Sequence, residues 1–251
     1  MNQCDNDCPA ENTLEQVRLL YTELAQHPEK DFGWGKGKKN ARALGYDEEW
    51  LNRLPDIVWE SAAAVGNPFS LGTIHSGETV VDIGCGAGAD ACIAAILVGN
   101  EGKVFGIDCT LAMVTKATEN ANTSGFPQTV FLEAEMTELP LPDCTADAII
   151  SNGAINLTED KDAVLKEIIR VLRPDGRLQI ADMVRHPSIE NSACCSGEES
   201  WADCVSGTLE PDTFLSMLTK AGFNDVELVG FTDYRTATNT TGALFKAIKP
   251  G

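Results

Sequence analysis

The sequence is short of positive charge. Against 38 aspartates and glutamates it sets only 19 lysines and arginines, a formal net charge of -19 at pH 7. Such a chain repels phosphate backbones, so nucleic acid is excluded as the expected partner. The one local basic excess, WGKGKKNAR from Trp34 to Arg42, reads as a solvated loop. Histidine is scarce too: His27, His75 and His186 stand apart with no metal-ligand spacing, so no metal site is expected. Long apolar runs are missing. The most apolar stretches, such as DACIAAILVG, are too short for a membrane span and end in glycine or polar residues. MNQCDNDCPAEN at the N-terminus lacks the basic and apolar regions of a secretory signal, which points to a cytoplasmic protein. The nine cysteines, at positions 4, 8, 85, 92, 109, 144, 194, 195 and 204, are too sparse and uneven for a disulfide framework. They are expected to be mostly reduced thiols.

What is present is a pattern of segments. With 251 residues, 43% of them hydrophobic, the chain can bury a sizeable core. Leu14, Val17, Leu20, Tyr21 and Leu24 recur at helical spacing between Glu11 and His27, and a glycine-rich loop, FGWGKGK, follows. Short helices are expected over Asp47 to Arg53 and Pro55 to Val65. After Pro68 short apolar runs alternate with helical segments, the sequence form of βαβ units. Strands are placed at Thr79 to Ile83, Lys103 to Ile107, Thr129 to Glu133, Ala146 to Ser151 and Arg177 to Ala181. Helices follow at Asp90 to Val98, Leu111 to Ser124, Lys161 to Leu172 and Pro211 to Ala221. Two last strands, Val226 to Phe231 and Gly242 to Ile248, have no helix between them, so antiparallel pairing is expected there. The organisation expected is an N-terminal helical extension and lid over residues 1–70 and an α/β domain over 71–251.

VVDIGCGAGAD is the most informative motif. A strand ending at Asp82 runs into Gly84, Gly86 and Gly88 before a helix, which lets the backbone turn sharply and approach a nucleotide-type cofactor. Twenty residues beyond Gly88 the next strand ends at Asp108, a carboxylate placed to accept hydrogen bonds from two ribose hydroxyls. A dinucleotide-binding fold offers the same pair, and at this point both readings stand.

GETVVDIGCGAGAD, GKVFGIDCT, EAEMTELPLPD and IISNGAINL, with RVLRPDGRLQIADMV after them, closely resemble class I S-adenosylmethionine (SAM)-dependent methyltransferases in order and spacing. The resemblance implies a Rossmann-like fold with a seven-stranded, mostly parallel sheet and an antiparallel last strand. It implies SAM as cofactor, with Asp82, Gly84, Cys85, Gly86 and Gly88 about its amino-acid end. Asp108 would hold the ribose, with Cys109, Thr110 and Met113 near it. Glu135 and Met136 would flank the adenine, and Asn152 would lie beneath the sulfonium. The partner implied is a small-molecule methyl acceptor, since SNGAINL is not the Asn/Asp-Pro-Pro-aromatic motif of enzymes that methylate DNA bases or glutamine. A radical SAM enzyme is excluded because CDNDCPAEN supplies two cysteines and no third.

LGYDEEWLNRLPD, VGNPFSLGTIHSGETVVDIGCGAG and WADCVSGTL extend the likeness to arsenite methyltransferases. That resemblance implies three thiolates holding trivalent arsenic, a soft acid matched to sulfur. Only one of the three positions keeps its cysteine, Cys204. The others are Val65 and Gly153, so replacement thiols would have to come from Cys194 and Cys195, or from Cys4 and Cys8. The alternatives are C-, N- or O-methylation of a small organic metabolite, with His186, Asp182 or Tyr234 as the base, or a SAM-binding regulator without turnover.

Overall fold

The computed structural model of the chain describes residues 13–185 and 207–251. Cys4, Cys8, His186, Cys194, Cys195 and Cys204 lie outside those residues. Four helices come first: α1 (Thr13–Gln26), α2 (Gly37–Ala43), α3 (Glu48–Arg53) and α4 (Asp56–Trp59). A 3-10 turn at Pro68–Leu71 then leads into β1 (Thr79–Ile83), α5 (Ala89–Val98), β2 (Lys103–Asp108), α6 (Leu111–Ser124), β3 (Thr129–Glu133) and β4 (Ala146–Asn152). A second 3-10 turn at Ile155–Leu157 precedes α7 (Lys161–Val171), β5 (Leu172–Arg185), α8 (Pro211–Ala221), β6 (Asn224–Phe231) and β7 (Thr240–Ile248). No helix among the described residues is long and apolar enough to cross a membrane.

The seven strands form one sheet in the order β3-β2-β1-β4-β5-β7-β6. β1 lies parallel to β2 and β4, and β7 runs antiparallel to both β5 and β6, so only the last strand in sequence is reversed. The expected Rossmann-like α/β sheet is the one observed. Central strands β1 and β4 read as near-continuous apolar runs because helices cover both faces of the sheet. One face packs Val81, Ile149, Leu165, Ile168 and Phe245; the other packs Val80, Ile93, Val104 and Ile150. Leu51, Val58 and Trp59, from α3 and α4, belong to that second cluster.

Three local departures from the sequence reading have physical causes. The helix expected over Pro55 to Val65 stops at Trp59, although Ala62, Ala63 and Ala64 favour helix. Side chains and a turn take those backbone groups instead: Asn40 Nδ2 donates to Ala64 O (2.7 Å), Val65 N to Asn152 Oδ1 (2.9 Å) and Gly37 N to Ala62 O (2.8 Å). Tertiary hydrogen bonds override propensity. The glycine-rich loop gives way to α2 at Gly37, where the chain turns through φ +78°. β5 extends well past Ala181 because β7 pairs with it from Arg177↔Ile248 to Arg185↔Thr240.

Candidate functional site

The order of the parallel strands reverses between β1 and β4, whose ends lie side by side at Ile83↔Ser151. A crevice is expected at such a switch point, outside the carboxyl ends of the strands. A cleft of about 510 Å³ opens there. Its floor is the glycine turn after β1, its sides are the ends of β2 and β4, and α1 lies across it through Thr13, Leu14, Val17 and Tyr21.

The turn is held to β2 by two amides, Gly84 N and Cys85 N, which both donate to Ile107 O (2.8 and 3.0 Å). Gly84, Gly86 and Gly88 all have positive φ, at +71°, +50° and +82°. Asp108 closes the second side. Its Oδ2 accepts from Gly86 N and its Oδ1 from Thr110 N, each at 2.9 Å. An ionised carboxylate has about four acceptor sites, so each oxygen keeps capacity for one more donor. Two vicinal hydroxyls of a ribose match that capacity in number.

Asp82 is 2% exposed and its Oδ2 has no hydrogen-bond partner. Burial, then the nearby charges of Asp90 and Asp108, push its carboxyl well above the ordinary carboxylate range, against the pull of the Ala91 amide. A buried acceptor left orphaned at the wall of a cleft calls for a donor, and a ligand ammonium supplies one. Beside it Asp90 accepts from Tyr46 Oη (2.8 Å) and Asn152 Nδ2 (2.9 Å); burial raises it to about 6 even against those two bonds. The residues present therefore fit the ammonium and the ribose of SAM.

Of the residues expected at the cofactor, Asp82, Gly84, Cys85, Gly86, Asp108, Cys109, Thr110, Met113, Glu135, Met136 and Asn152 line the cleft. Gly88 does not. A Cβ there would meet Ala117 and Phe131, so this glycine serves the close packing of α5's first turn. Asn152 spends its side chain inside the protein: Oδ1 takes the Val65 amide, and Nδ2 lies 2.9 Å from Tyr46 Oη, Gly66 O and Asp90 Oδ2. Glu135 is half-exposed and paired with Arg18 of α1 (3.2 Å), whose Nε also donates to Cys109 O (3.0 Å). Of the possible bases, Asp182 lies away from the cleft against Asn156 and Lys161, and Tyr234 Oη donates to Gly35 O (3.3 Å). Neither lines the wall. Tyr46 and Trp59 were not singled out as wall residues, although they and α1 fall within the extension expected to act as a lid, and Asp90 stood within the GAGAD motif without being singled out.

A pH dependence follows. Burial gives Asp82 and Asp90 a raised affinity for protons, whereas a bound cation favours their charged forms. Acidification therefore competes with the ligand. SAM affinity is expected to fall as the pH drops through the Asp90 midpoint near 6. Calorimetric titration from pH 5 to 7.5 checks this; a flat profile excludes ionised Asp82 and Asp90 as the ammonium's partners.

Comparison with known proteins agrees with this geometry. A family model described as a methyltransferase domain matches residues 74–222. An arsenite methyltransferase of Halobacterium salinarum is 36% identical over 185 residues, covering 74% of this chain and 47% of that protein. One from Aquipseudomonas alcaligenes is 33% identical over 189 residues, covering 72% and 54%. The chain spans about half the length of these curated relatives. Among solved structures, an arsenic(III) S-adenosylmethionine methyltransferase of Chlamydomonas reinhardtii superposes with a TM-score of 0.58 at 26% identity, covering 84% of this chain and 72% of that one. With the cleft, the glycine turn and the Asp108 carboxylate in place, the chain belongs to the class I SAM-dependent methyltransferases.

Proposed function

We propose that this methyltransferase acts on a small organic molecule, seated without thiolate ligands from positions 65 and 153. One contact carries this reading. Gly153 (φ +67°) packs against Val65, so that a Cβ on the glycine would stand 3.1 Å from Val65 Cγ1. The two places where the arsenite methyltransferases carry thiols, by the resemblance above, thus form a closed apolar contact with no sulfur in it. The two cysteines in the wall do not replace them. Cys85 is pushed well above its ordinary range by burial and by Asp108 and Asp82, and Cys109 is raised by burial and Asp108. A thiol whose proton is held more tightly is a poorer ligand, since the thiolate is the binding form.

SAM supplies an electrophilic methyl group on a sulfonium, so the protein's part is to align the acceptor and keep water out. Leu14, Val17, Tyr21 and Trp59 give that side of the cleft an apolar surface. Asp90, ionised above about 6 and hydrogen-bonded to Tyr46 Oη, is the wall's candidate proton acceptor for a hydroxyl, amine or carbon acid. Residues 13–70 fit the role of a cover, with α3 and α4 rooted in the second core cluster and α1 laid across the cleft through Leu24 and Ala25 packed on Ala87 and Met113. Hydrogen exchange is expected to slow in α1 on adding SAM; unchanged α1 exchange in the liganded protein removes the cover.

The second reading is trivalent arsenic bound through Cys204 with Cys194 or Cys195, and the arsenite methyltransferase relatives favour it. Formation of S-adenosylhomocysteine (SAH) separates the two. Arsenite-dependent SAH production that disappears in Cys204→Ser or in Cys194→Ser with Cys195→Ser establishes arsenic. Turnover on metabolites alone establishes the organic acceptor. SAM binding without SAH from either source establishes a regulator.

A further inference from the structure

Of the buried side-chain polar atoms without a hydrogen bond among the described residues, two belong to residues in the wall of the cleft. One is the acceptor Asp82 Oδ2, already matched to the ammonium of SAM. The other is a donor, Trp59 Nε1. Trp59 ends α4 and is 2% exposed, and an indole N–H shut away from water without a partner is costly. Both orphans lie about Tyr46. Its ring meets the Trp59 ring edge-on with 6.2 Å between centroids, and its hydroxyl donates to Asp90 Oδ1 at 2.8 Å. Burial, and after it the charges of Asp90 and Asp82, push that hydroxyl well above its ordinary range, so Asp82 stands close to the same side chain. Nearby donors are spent: Ser61 Oγ on Leu24 O (3.2 Å), and the Asn152 amide on Tyr46, Gly66 and Asp90.

The cofactor brings a demand of its own. The amino-acid end of SAM carries a carboxylate on the same carbon as its ammonium, and a carboxylate taken out of water needs donors. No lysine or arginine lines the cleft among the described residues, and residues 1–12 and 186–206 contain neither. The donors therefore have to be neutral groups. We propose that Trp59 Nε1 donates to the carboxylate of SAM, so that the orphaned acceptor and the orphaned donor of the wall take the two charged groups of one α-amino acid. Trp59 then holds the cofactor from the helices that precede β1, while Asp82 and Asp108 hold it from the sheet. With both ends fixed, the sulfonium between amino acid and ribose presents its methyl group in one direction. The assignment is independent of which acceptor is methylated.

Removing the donor and removing the carboxylate should have the same effect, and the two losses should not add. Decarboxylated SAM is the probe, because it keeps the adenosine, the sulfonium and the amino group and lacks only the carboxylate. In calorimetric titrations of the full chain, Trp59→Phe is expected to weaken SAM and SAH on the order of tenfold or more, the loss of a hydrogen bond to a charged group. Decarboxylated SAM should bind the variant and the wild type equally. Equal losses for all three ligands would make Trp59 a packing residue alone, and undiminished SAM affinity would give the carboxylate to another donor; either result overturns the assignment. The second measurement needs no variant, so it decides the matter even where Trp59→Phe does not fold. In isotope-labelled wild-type protein the indole N–H resonance of Trp59 is expected to move downfield on saturation with SAH and not with methylthioadenosine, which lacks the amino acid altogether. The same response to both ligands overturns the assignment.

Discussion

Replacing Gly84 with alanine is expected to remove SAM binding and to lower the thermal midpoint by roughly 5 to 15 °C. Two costs add at this one position. At φ +71° an L-residue pays about 1 to 2 kcal/mol for the left-handed backbone. The new methyl would also fall inside the van der Waals envelope of the Ala154 methyl, and overpacking of that kind costs about 1 to 3 kcal/mol. Relief requires the turn to move off β2, which breaks the paired bonds from Gly84 N and Cys85 N to Ile107 O. Gly86→Ala is the control. It shares the positive φ (+50°) but has nothing within 4 Å of its added carbon, so only the smaller backbone cost applies. Circular dichroism melts of the two variants decide between space and conformation. Equal losses would show that close approach to Ala154 is not what demands glycine at position 84.

The Asp108→Ala variant is expected to bind SAM about 30 to 150 times more weakly. Two charge-assisted hydrogen bonds to the ribose are lost, together on the order of 2 to 3 kcal/mol. The partners of Asp108 within the protein lose as well, since Gly86 N and Thr110 N each give up a carboxylate oxygen. SAH carries the same ribose, so its affinity should drop by the same factor. That parallel loss separates a ribose contact from a contact with the charged sulfonium, whose loss would weaken SAM more than SAH. Calorimetry on folded Asp108→Ala with both ligands is sufficient. Unchanged affinity would place the ribose elsewhere.

Much of this was legible in the residues themselves. Strand and helix periodicity located all seven strands, the central β1 and β4 most plainly because they are buried on both faces and read as near-continuous apolar runs. The glycine turn and Asp108 were readable because their chemistry is local: a tight turn and a strand end. Asn152 and the region from Tyr46 to Val65 were harder. The Asn152 amide is consumed by Val65, Gly66, Tyr46 and Asp90, partners 62 to 106 residues away in the chain, and no spacing rule reports such a cluster. Bonds from Asn40 to Ala64 O and from Gly37 to Ala62 O likewise draw these alanines out of the helix their propensity favours. Asp182 shows the converse. It looked like an available base at the end of a strand, yet the amides of Met183 and Asn156 hold it at 2.7 and 3.1 Å, and burial raises it to about 7 away from the cleft.

A crystal structure of the protein with SAH tests the central claim most directly. The ligand is expected in the cleft at the ends of β1, β2 and β4, with both ribose hydroxyls within hydrogen-bonding distance of Asp108 and the amino group toward Asp82 Oδ2. Density for SAH outside this cleft, or inside it with the ribose turned away from Asp108, would contradict the assignment of the site.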